Sequence, residues 1–291
     1  MTRSASRYRA AMFTTRFAPS PTGRLHKGHA LSALTAWQAA RDAGGRFLLR
    51  IEDTDFTRCR PEFEAAVFED LAWLGLDWES PVRRQSDHRA DYDAALERLR
   101  DQGVLYRCFR TRKERLALAG VAPHADDPAD ARAFDGGPHA PADETARLAA
   151  GEAFAWRLSL DRARTHLGGF DRLDWIEETA APGRHTARPE VLGDMVLGRK
   201  DIGAGYVIAT VIDDAAQGVT HVIRGNDLIE VTSVQRVLQA LLELPTPVYR
   251  HHPLLLGPDG KRFAKRDGAV TLAEIRESGV SPAALRAELG F

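Results

Sequence analysis

Apolar positions along the chain fall into short runs typical of strands and longer runs with helical spacing. Residues 16–18 form the end of a predicted strand, which stops because Pro19 and Pro21 lack the N–H that a sheet ladder needs. After a turn at Thr22 and Gly23, an alanine-rich run with helical spacing extends over residues 25–40. The pattern therefore predicts a strand, a tight turn and a helix in immediate succession.

The same alternation continues down the chain. The predicted strands lie at 46–50, 104–109, 154–158 and 206–212. The predicted helices lie at 61–75, 92–100 and 271–276, with a last short helix after Pro282. A further helix is predicted to run through Val234 and Leu241 and to end before Pro245. The run 206–212 is short, apolar and bounded by acids, which predicts a strand of a buried parallel sheet. Asp213 and Asp214 at its end require polar partners if they are buried. The elements together predict an α/β fold.

Between about residues 113 and 152 the composition changes to Ala, Asp, Pro, Gly and His, with few large apolar residues. Such a stretch can bury little surface, so the sequence predicts an inserted and partly irregular module there.

Acidic residues follow the predicted strand 46–50, at Glu52, Asp53 and Asp55. Ligands of open α/β folds bind where such strands end, so these carboxylates are candidates for a site. A purely structural alternative stays open, since Asp55 or Thr57 could cap the helix that begins at Pro61. Asn226 or Asp227 is expected to cap the helix that runs through Leu241.

Composition and charge narrow the class of protein. The 291 residues are 44% hydrophobic and 28% charged, as in soluble globular proteins, and the formal net charge of −1 means that any RNA contact depends on a local patch. No apolar run reaches the roughly 18 residues of a membrane helix. Residues 1–12 lack the apolar segment of a secretory signal, so we expect a disordered tail, and two cysteines fit a reducing cytoplasm.

Two histidines, His26 and His29, stand three residues apart at the start of the first predicted helix, with Gly28 between them. At that spacing their side chains share one face, and a helix N-terminus favours an anion, so the pair suits the phosphates of ATP. Taken alone, His-x-Gly-His is equally typical of two surface histidines on an ordinary helix.

The residues around the two histidines favour the nucleotide-binding interpretation. Arg-Phe-Ala-Pro-Ser-Pro-Thr-Gly at 16–23, followed by His-x-Gly-His at 26–29, resembles the first signature of the class I aminoacyl-tRNA synthetases in its glutamyl form. Arg-Phe-Ala-Lys-Arg at 262–266 resembles their second signature, the KMSKS loop. Lys27 and Ala264 depart from the usual residues. The resemblance implies a Rossmann-like parallel-sheet nucleotide-binding domain with an inserted α+β acceptor-like subdomain and a short helical C-terminal segment.

The resemblance also implies the site. Catalysis is expected from His26, His29 and Lys265, and the same three residues with Gly28 are expected to bind ATP, accompanied by Mg²⁺. The positions expected to bind the substrate L-glutamate are Arg16, Phe17, Ala18, Pro19, Ser20, Glu52, Tyr206 and Arg224. His251 and His252 are adjacent in an extended segment and so face opposite ways, which indicates structural or nucleotide-edge contacts rather than a metal pair.

Relatives in this family carry a zinc site in the insertion, built from Cys-x-Cys and Tyr-x-x-x-Cys. The corresponding positions here are Cys108, Arg110, Phe134 and Pro138, so only one thiol remains. Structural zinc needs about four donors, and we therefore expect no zinc. His124, His139, Asp126 and Asp127 are a less favoured substitute set.

Only 25 residues follow Arg266, so we expect no anticodon-binding domain. This resembles the truncated glutamyl branch of the family, which implies ATP-dependent activation of glutamate and its transfer to queuosine at the wobble position of tRNA(Asp). Two alternatives stay open: a truncated enzyme that acts on a tRNA acceptor end with a partner, and a non-catalytic regulator that binds RNA or amino acid. We expect a cytoplasmic monomer without membrane contact. The expected units are a tail at 1–12, the first catalytic half at 13–105 and the insertion at 106–193. The second catalytic half is expected at 194–250, and the KMSKS-like loop with the C-terminal helices at 251–291.

Overall fold

A computed structural model describes residues 12–110, 114, 137–201, 203–255 and 270–291. Within them the strands are β1 Thr14–Phe17, β2 Arg46–Ile51, β3 Glu79–Arg84, β4 Leu105–Cys108, β5 Ala155–Leu158, β6 Asp174–Glu177, β7 Gly183–Thr186, β8 Val196–Arg199, β9 Gly203–Ala204, β10 His221–Gly225 and β11 Val248–His252. The helices are α1 Lys27–Asp42, α2 Pro61–Trp73, α3 Arg89–Asp101, α4 Pro141–Ala149, α5 Leu160–Leu167, α6 Tyr206–Ala216, α7 Ile229–Leu241, α8 Leu272–Glu277 and α9 Pro282–Glu288.

Parallel strands form the part of the fold that carries the first signature. β1, β2 and β3 pair in parallel, and so do β10, β11 and β6, with β7 added antiparallel at the edge. The amide of Thr220, just before β10, donates to the carbonyl of Thr14 at 2.9 Å, so β10 lies beside β1. The carboxyl ends of β1, β2, β10 and β11 therefore meet at one edge, where ligands of such sheets bind.

A second sheet, with strand order β4-β5-β8-β9, is antiparallel throughout. It contains the strands predicted at 104–109 and 154–158, on either side of the inserted segment. The parallel sheet and this antiparallel insertion confirm the α/β class and the α+β subdomain. Within the insertion, residues 141–149 form the helix α4 that the composition did not predict.

Two apolar clusters hold the chain together. One packs α1, β2 and α2 against Leu272, Ile275 and Leu285 of the last two helices. The other packs α3, α6 and α7 against the antiparallel sheet. The C-terminal helices thus share a core with the first signature, and they confirm the two short helices predicted from the sequence. The unit boundaries stay a prediction.

The strand predicted at 206–212 is wrong, because these residues begin the helix α6. Almost every side chain of the run is buried, among them Val207, Ile208 and Val211. A continuous apolar run of only seven residues fits a buried strand and a buried helix segment equally well, so its periodicity could not separate the two.

The expected cap of α7 is wrong, and the structure does not support the alternative that Asp55 or Thr57 caps α2. The N-cap of α2 is Arg60, without a side-chain cap, and Asp55 instead accepts from the amide and hydroxyl of Thr57. A short 3₁₀ turn at Asn226–Leu228 precedes α7, whose N-cap is Leu228. No helix in the ranges that the structure describes is long and apolar enough to cross a membrane.

Candidate active site

The turn between β1 and α1 places both motif histidines at a helix N-terminus. His26 is the N-cap, and its Nδ1 accepts from the amide of Gly28 at 3.1 Å. Nδ1 of His29 accepts from the amide of His26 at 3.2 Å, which completes a capping box. The centroids of the two imidazole rings lie 3.9 Å apart. Since an accepting Nδ1 carries no proton, each neutral imidazole has its N–H at Nε2.

Gly28 is needed for this arrangement. A Cβ at Gly28 would come within 3.0 Å of Cε1 of His26, so any larger residue would press on the capping imidazole. The helix is also fixed to β11, because Oγ of Ser32 lies 3.0 Å from Nε2 of His252.

Four buried charged residues form what we call the arginine–carboxylate cluster: Arg16, Arg50, Glu52 and Asp214. Arg16 Nε and Arg50 Nη1 both donate to Oδ1 of Asp214, at 2.9 and 2.8 Å. Arg50 Nη2 donates to Oε1 of Glu52 at 3.2 Å, and Arg16 Nη1 donates to the carbonyl of Ile223 at 3.4 Å. The cluster thus links the ends of β1, β2 and β10 to α6.

The electrostatics of the cluster follow from its burial. Burial raises the pKa of Glu52, and the charges of Arg50 and Arg16 only partly oppose it. Burial also raises the pKa of Asp214, but the charges and hydrogen bonds of Arg16 and Arg50 outweigh this effect, so its pKa falls below the usual range. A substrate ammonium group beside Glu52 would favour its ionised form.

Arg224 of β10 is buried, and two of its three guanidinium nitrogens have hydrogen-bond partners among the described residues. Its Nε donates to Nε2 of His251 at 3.1 Å, and its Nη2 donates to Oγ1 of Thr232 at 2.8 Å and to the carbonyl of Leu228 at 3.3 Å. Its Nη1 is buried and has no hydrogen-bond partner among the described residues. An unpaired buried donor is costly, and a carboxylate is the acceptor that best fits a guanidinium.

Tyr206 begins α6 and is 38% exposed, unlike the buried residues that follow it. Burial and Glu52 raise the pKa of its hydroxyl, while Arg224 and Arg16 act against this rise, which places Tyr206 within electrostatic range of all three. Phe17 is buried at the end of β1, Ser20 is exposed in the loop after it, and Ala18 and Pro19 lie between them. The structure thus brings the predicted glutamate positions from both halves of the sheet to one edge.

The predicted partners of the two acids at the end of α6 are now identified. Asp213 has no exposure and accepts from Arg83, Gln85 and Tyr92, at distances of 2.7 to 2.9 Å. Asp213 also contacts the arginine–carboxylate cluster, because its Oδ2 lies 3.6 Å from Nε of Arg50.

Lys265 and its KMSKS-like loop lie outside the described residues, as do Phe134, His124, Asp126 and Asp127 of the zinc argument. The described parts of the chain contain no group of three or more His, Cys, Asp or Glu side chains that could hold a metal. Where relatives have the second zinc ligand, Arg110 donates to the carbonyl of Gly137 at 2.9 Å. The absence of zinc stays a prediction.

Sequence reasoning missed Arg50, Glu177 and Thr232. Arg50 did carry a signal, since an arginine inside the apolar strand Arg46–Ile51 is rarely buried without acidic partners. Glu177 and Thr232 carried none, because their role arises only when β6 and α7 meet β11.

Comparisons with known proteins find relatives along almost the whole chain. Residues 12–290 match the family model described as tRNA synthetases class I (E and Q), catalytic domain. The glutamyl-Q tRNA(Asp) synthetase of Rhodobacter capsulatus is 46% identical over 288 residues, which cover 95% of this chain and 99% of that protein. The protein of the same name from Nocardia farcinica is 44% identical, over 92% of this chain and 80% of its own length.

Solved structures give the same picture. A glutamate tRNA ligase from Elizabethkingia meningosepticum, in complex with its amino acid, superposes with a TM-score of 0.74 at 27% identity. A glutamate-tRNA synthetase from Elizabethkingia anophelis gives a TM-score of 0.75 at the same identity. Each match covers 96% of this chain but only 60% and 61% of the respective solved chain.

Proposed function

Because the chain belongs to the class I tRNA synthetases of the glutamate and glutamine type, and among them to the glutamyl-Q tRNA(Asp) synthetases, we propose that it is a ligase that joins L-glutamate to queuosine. The acceptor is queuosine at the wobble position of tRNA(Asp). ATP drives the reaction, with Mg²⁺ as its counter-ion. The proposal includes a monomeric protein in the cytoplasm.

One observation carries this proposal: a buried arginine–carboxylate cluster and a guanidinium with an unpaired Nη1 lie at the strand edge that also holds the His-x-Gly-His helix start. L-Glutamate has two carboxylates and one ammonium group. Arg224 suits a carboxylate and Glu52 suits the ammonium, with Arg16 and Tyr206 beside them. Phe17 at the end of β1 and the loop residues Ala18, Pro19 and Ser20 would line the site on the β1 side.

In the first step an oxygen of the substrate α-carboxylate attacks the α-phosphorus of ATP in line with the departing pyrophosphate. The bond between the α-phosphorus and the bridging oxygen breaks, and glutamyl-adenylate forms. His26 and His29 offer their Nε2–H groups at the positive end of α1, where the phosphates carry the developing charge. In the second step a queuosine hydroxyl attacks the acyl carbon, and AMP leaves. No covalent enzyme intermediate is needed.

Lys265 would stabilise the departing pyrophosphate. We expect Lys265→Ala to slow glutamate activation at least about a hundredfold, with less than about a threefold change in glutamate affinity, because its contact forms mainly in the transition state. The measurement compares single-turnover adenylate formation with calorimetric glutamate binding. A large loss of affinity at unchanged turnover would contradict this role.

The deciding experiment is exchange of pyrophosphate into ATP, dependent on L-glutamate and without tRNA, followed by transfer of labelled glutamate to tRNA(Asp) with and without queuosine. D-Glutamate and L-glutamine are the matched controls. Exchange with transfer only to the queuosine-bearing RNA supports the proposal. Transfer to unmodified tRNA(Glu) would favour the partnered enzyme that acts on an acceptor end, and no exchange under any condition would favour the regulator.

A further inference from the structure

We infer that His251 and Glu177 are positioning residues that orient the Arg224 guanidinium for the carboxylate of the amino acid substrate. The inference rests on the proposed function, because that function supplies the carboxylate. It adds two residues from β11 and β6 to a site otherwise built from β1, β2, β10 and α6.

Geometry joins the three side chains in one line. Nε of Arg224 lies 3.1 Å from Nε2 of His251, and Nδ1 of His251 lies 2.6 Å from Oε2 of Glu177. The side chains of His251 and Glu177 have no solvent exposure. We call this line the Glu–His–Arg relay.

The relay allows only one placement of the protons. The Nε–H of an arginine can only donate, so Nε2 of His251 must accept and Nδ1 must carry the proton. That proton is then donated to Glu177, which accepts as a carboxylate. Burial and Arg224 lower the pKa of His251 to about 4 against the effect of Glu177, so the imidazole is neutral at neutral pH.

Glu177 is itself fixed from the other side. Its Oε1 accepts from the amides of Thr179, Ala180 and His251 at 2.9 to 3.1 Å, and from the hydroxyl of Thr179 at 2.9 Å. These bonds hold Oε2 towards His251. Burial would raise the pKa of Glu177, but the hydrogen bonds from His251, Thr179 and Ala180 lower it to about 2.

The remaining contacts of Arg224 leave one direction open. Thr232 and the carbonyl of Leu228 engage Nη2, and the ring of Tyr249 stacks with its centroid 5.4 Å from the guanidinium carbon. With Nε held by His251, the plane of the guanidinium is set, and Nη1 is the nitrogen that has no hydrogen-bond partner in the part of the chain that the structure describes. Planar recognition of a carboxylate depends on that orientation.

Glu177→Gln tests the relay with a change of one atom. A glutamine amide can still satisfy the backbone donors, but its NH₂ group cannot accept from Nδ1–H, so His251 is driven to the other tautomer and opposes Arg224 Nε. We expect the KM for L-glutamate in pyrophosphate exchange to rise about tenfold or more, with kcat changed less than about threefold and the KM for ATP unchanged. His251→Gln, which keeps an acceptor for Arg224, should lose less than His251→Leu.

Glu178→Gln is the matched control, since the neighbouring Glu178 pairs with Arg250 instead. Its kinetics should equal those of the unmodified protein. If Glu177→Gln does not fold, the pair His251→Gln and His251→Leu replaces it, because the first keeps an acceptor for Arg224 Nε and the second removes it. An unchanged glutamate KM in a folded relay variant, or an equal change in Glu178→Gln, would overturn the inference.

A second readout does not depend on catalysis. In ¹⁵N-histidine spectra, with the His251 signal assigned by its loss in His251→Gln, we expect protonation at Nδ1, and a shift to Nε2 in Glu177→Gln. Protonation at Nε2 or at both nitrogens in the unmodified protein at pH 7.5 would overturn the relay. If glutamate binds but no exchange occurs, the proposed function fails while the relay is judged by calorimetric affinity. Exchange that is insensitive to Glu177→Gln fails the relay alone.

Discussion

Arg50 has no solvent exposure, yet it carries a full charge in the middle of the sheet. It donates to Asp214, Glu52 and Gln217, and it also lies beside Asp213. A buried cation of this kind balances acids that could not stay ionised without it. The residue thus makes a cluster of acids compatible with a folded core.

Replacing Arg50 by methionine keeps much of the volume and removes the charge. We expect Arg50→Met to lower the free energy of unfolding by about 3–5 kcal/mol, because it leaves Asp214 and Glu52 buried with less compensation. Urea unfolding measures the change. Arg46→Met on the same strand is the control, since the exposed Arg46–Glu79 pair should contribute at most about 1 kcal/mol. Equal losses in both variants would contradict a special role for Arg50.

The pKa of His251 gives a pH dependence of stability with a definite sign. The folded-state pKa is about 4 and the ordinary value is 6.5, so between these values the unfolded chain binds more protons. Stability is fully present above pH 6.5 and is lost as the pH falls towards 4, by up to about 3 kcal/mol. The facing charged groups are Glu177 of β6, Arg224 of β10 and the neighbouring His252. Unfolding of His251→Gln should fall less steeply over this range, and parallel curves would refute the assignment.

At the scale of elements, the residues at the ends and on the faces of the helices determined which helices could be predicted from the sequence. The sequence predicts the start of α8 at Thr271. There Thr271 Oγ1 accepts from the amide of Glu274 at 3.2 Å, and the carboxylate of Glu274 accepts from the amide of Thr271 at 2.7 Å, which forms a capping box. The next amide, of Leu272, donates to the carbonyl of Leu25. This short helix therefore fastens the C-terminal segment to the first signature.

We expect Thr271→Ala to cost about 1 kcal/mol of stability, because it removes one half of the capping box. Thermal unfolding is the measurement. Thr165→Ala is a suitable control, since this residue is exposed and its hydroxyl donates to the carbonyl of Asp161 within α5. A loss confined to the control would show that the cap is not important.

At the scale of the whole molecule, the candidate site joins segments that are far apart in sequence. Arg16 and Glu52 come from one side of the sheet, and Tyr206 and Arg224 come from the other. A ligand that contacts both sides binds only the folded chain and therefore stabilises all of it.

L-Glutamate should raise the free energy of unfolding by about 2.7 kcal/mol at a hundredfold excess over its dissociation constant. Urea unfolding without ATP or RNA measures the shift, and D-glutamate at the same concentration is the control. Arg224→Gln should abolish most of the shift. A shift of the same size with either enantiomer would show that binding does not depend on the proposed contacts.

The sequence by itself determined the two signatures, the strand–turn–helix at the start, the strands β1, β2, β4 and β5, and the site positions expected by resemblance. These features depend on residues close together in the chain: prolines that end a strand, a glycine turn, and a capping pair three residues apart. Tertiary structure alone decided that 206–216 is a helix, that Arg50 lies within ion-pair distance of three acids, and that Glu177 of β6 reaches Arg224 of β10 through His251. A short continuous apolar run does not distinguish a buried helix from a buried strand, and hydrogen bonds between strands distant in sequence leave no local pattern.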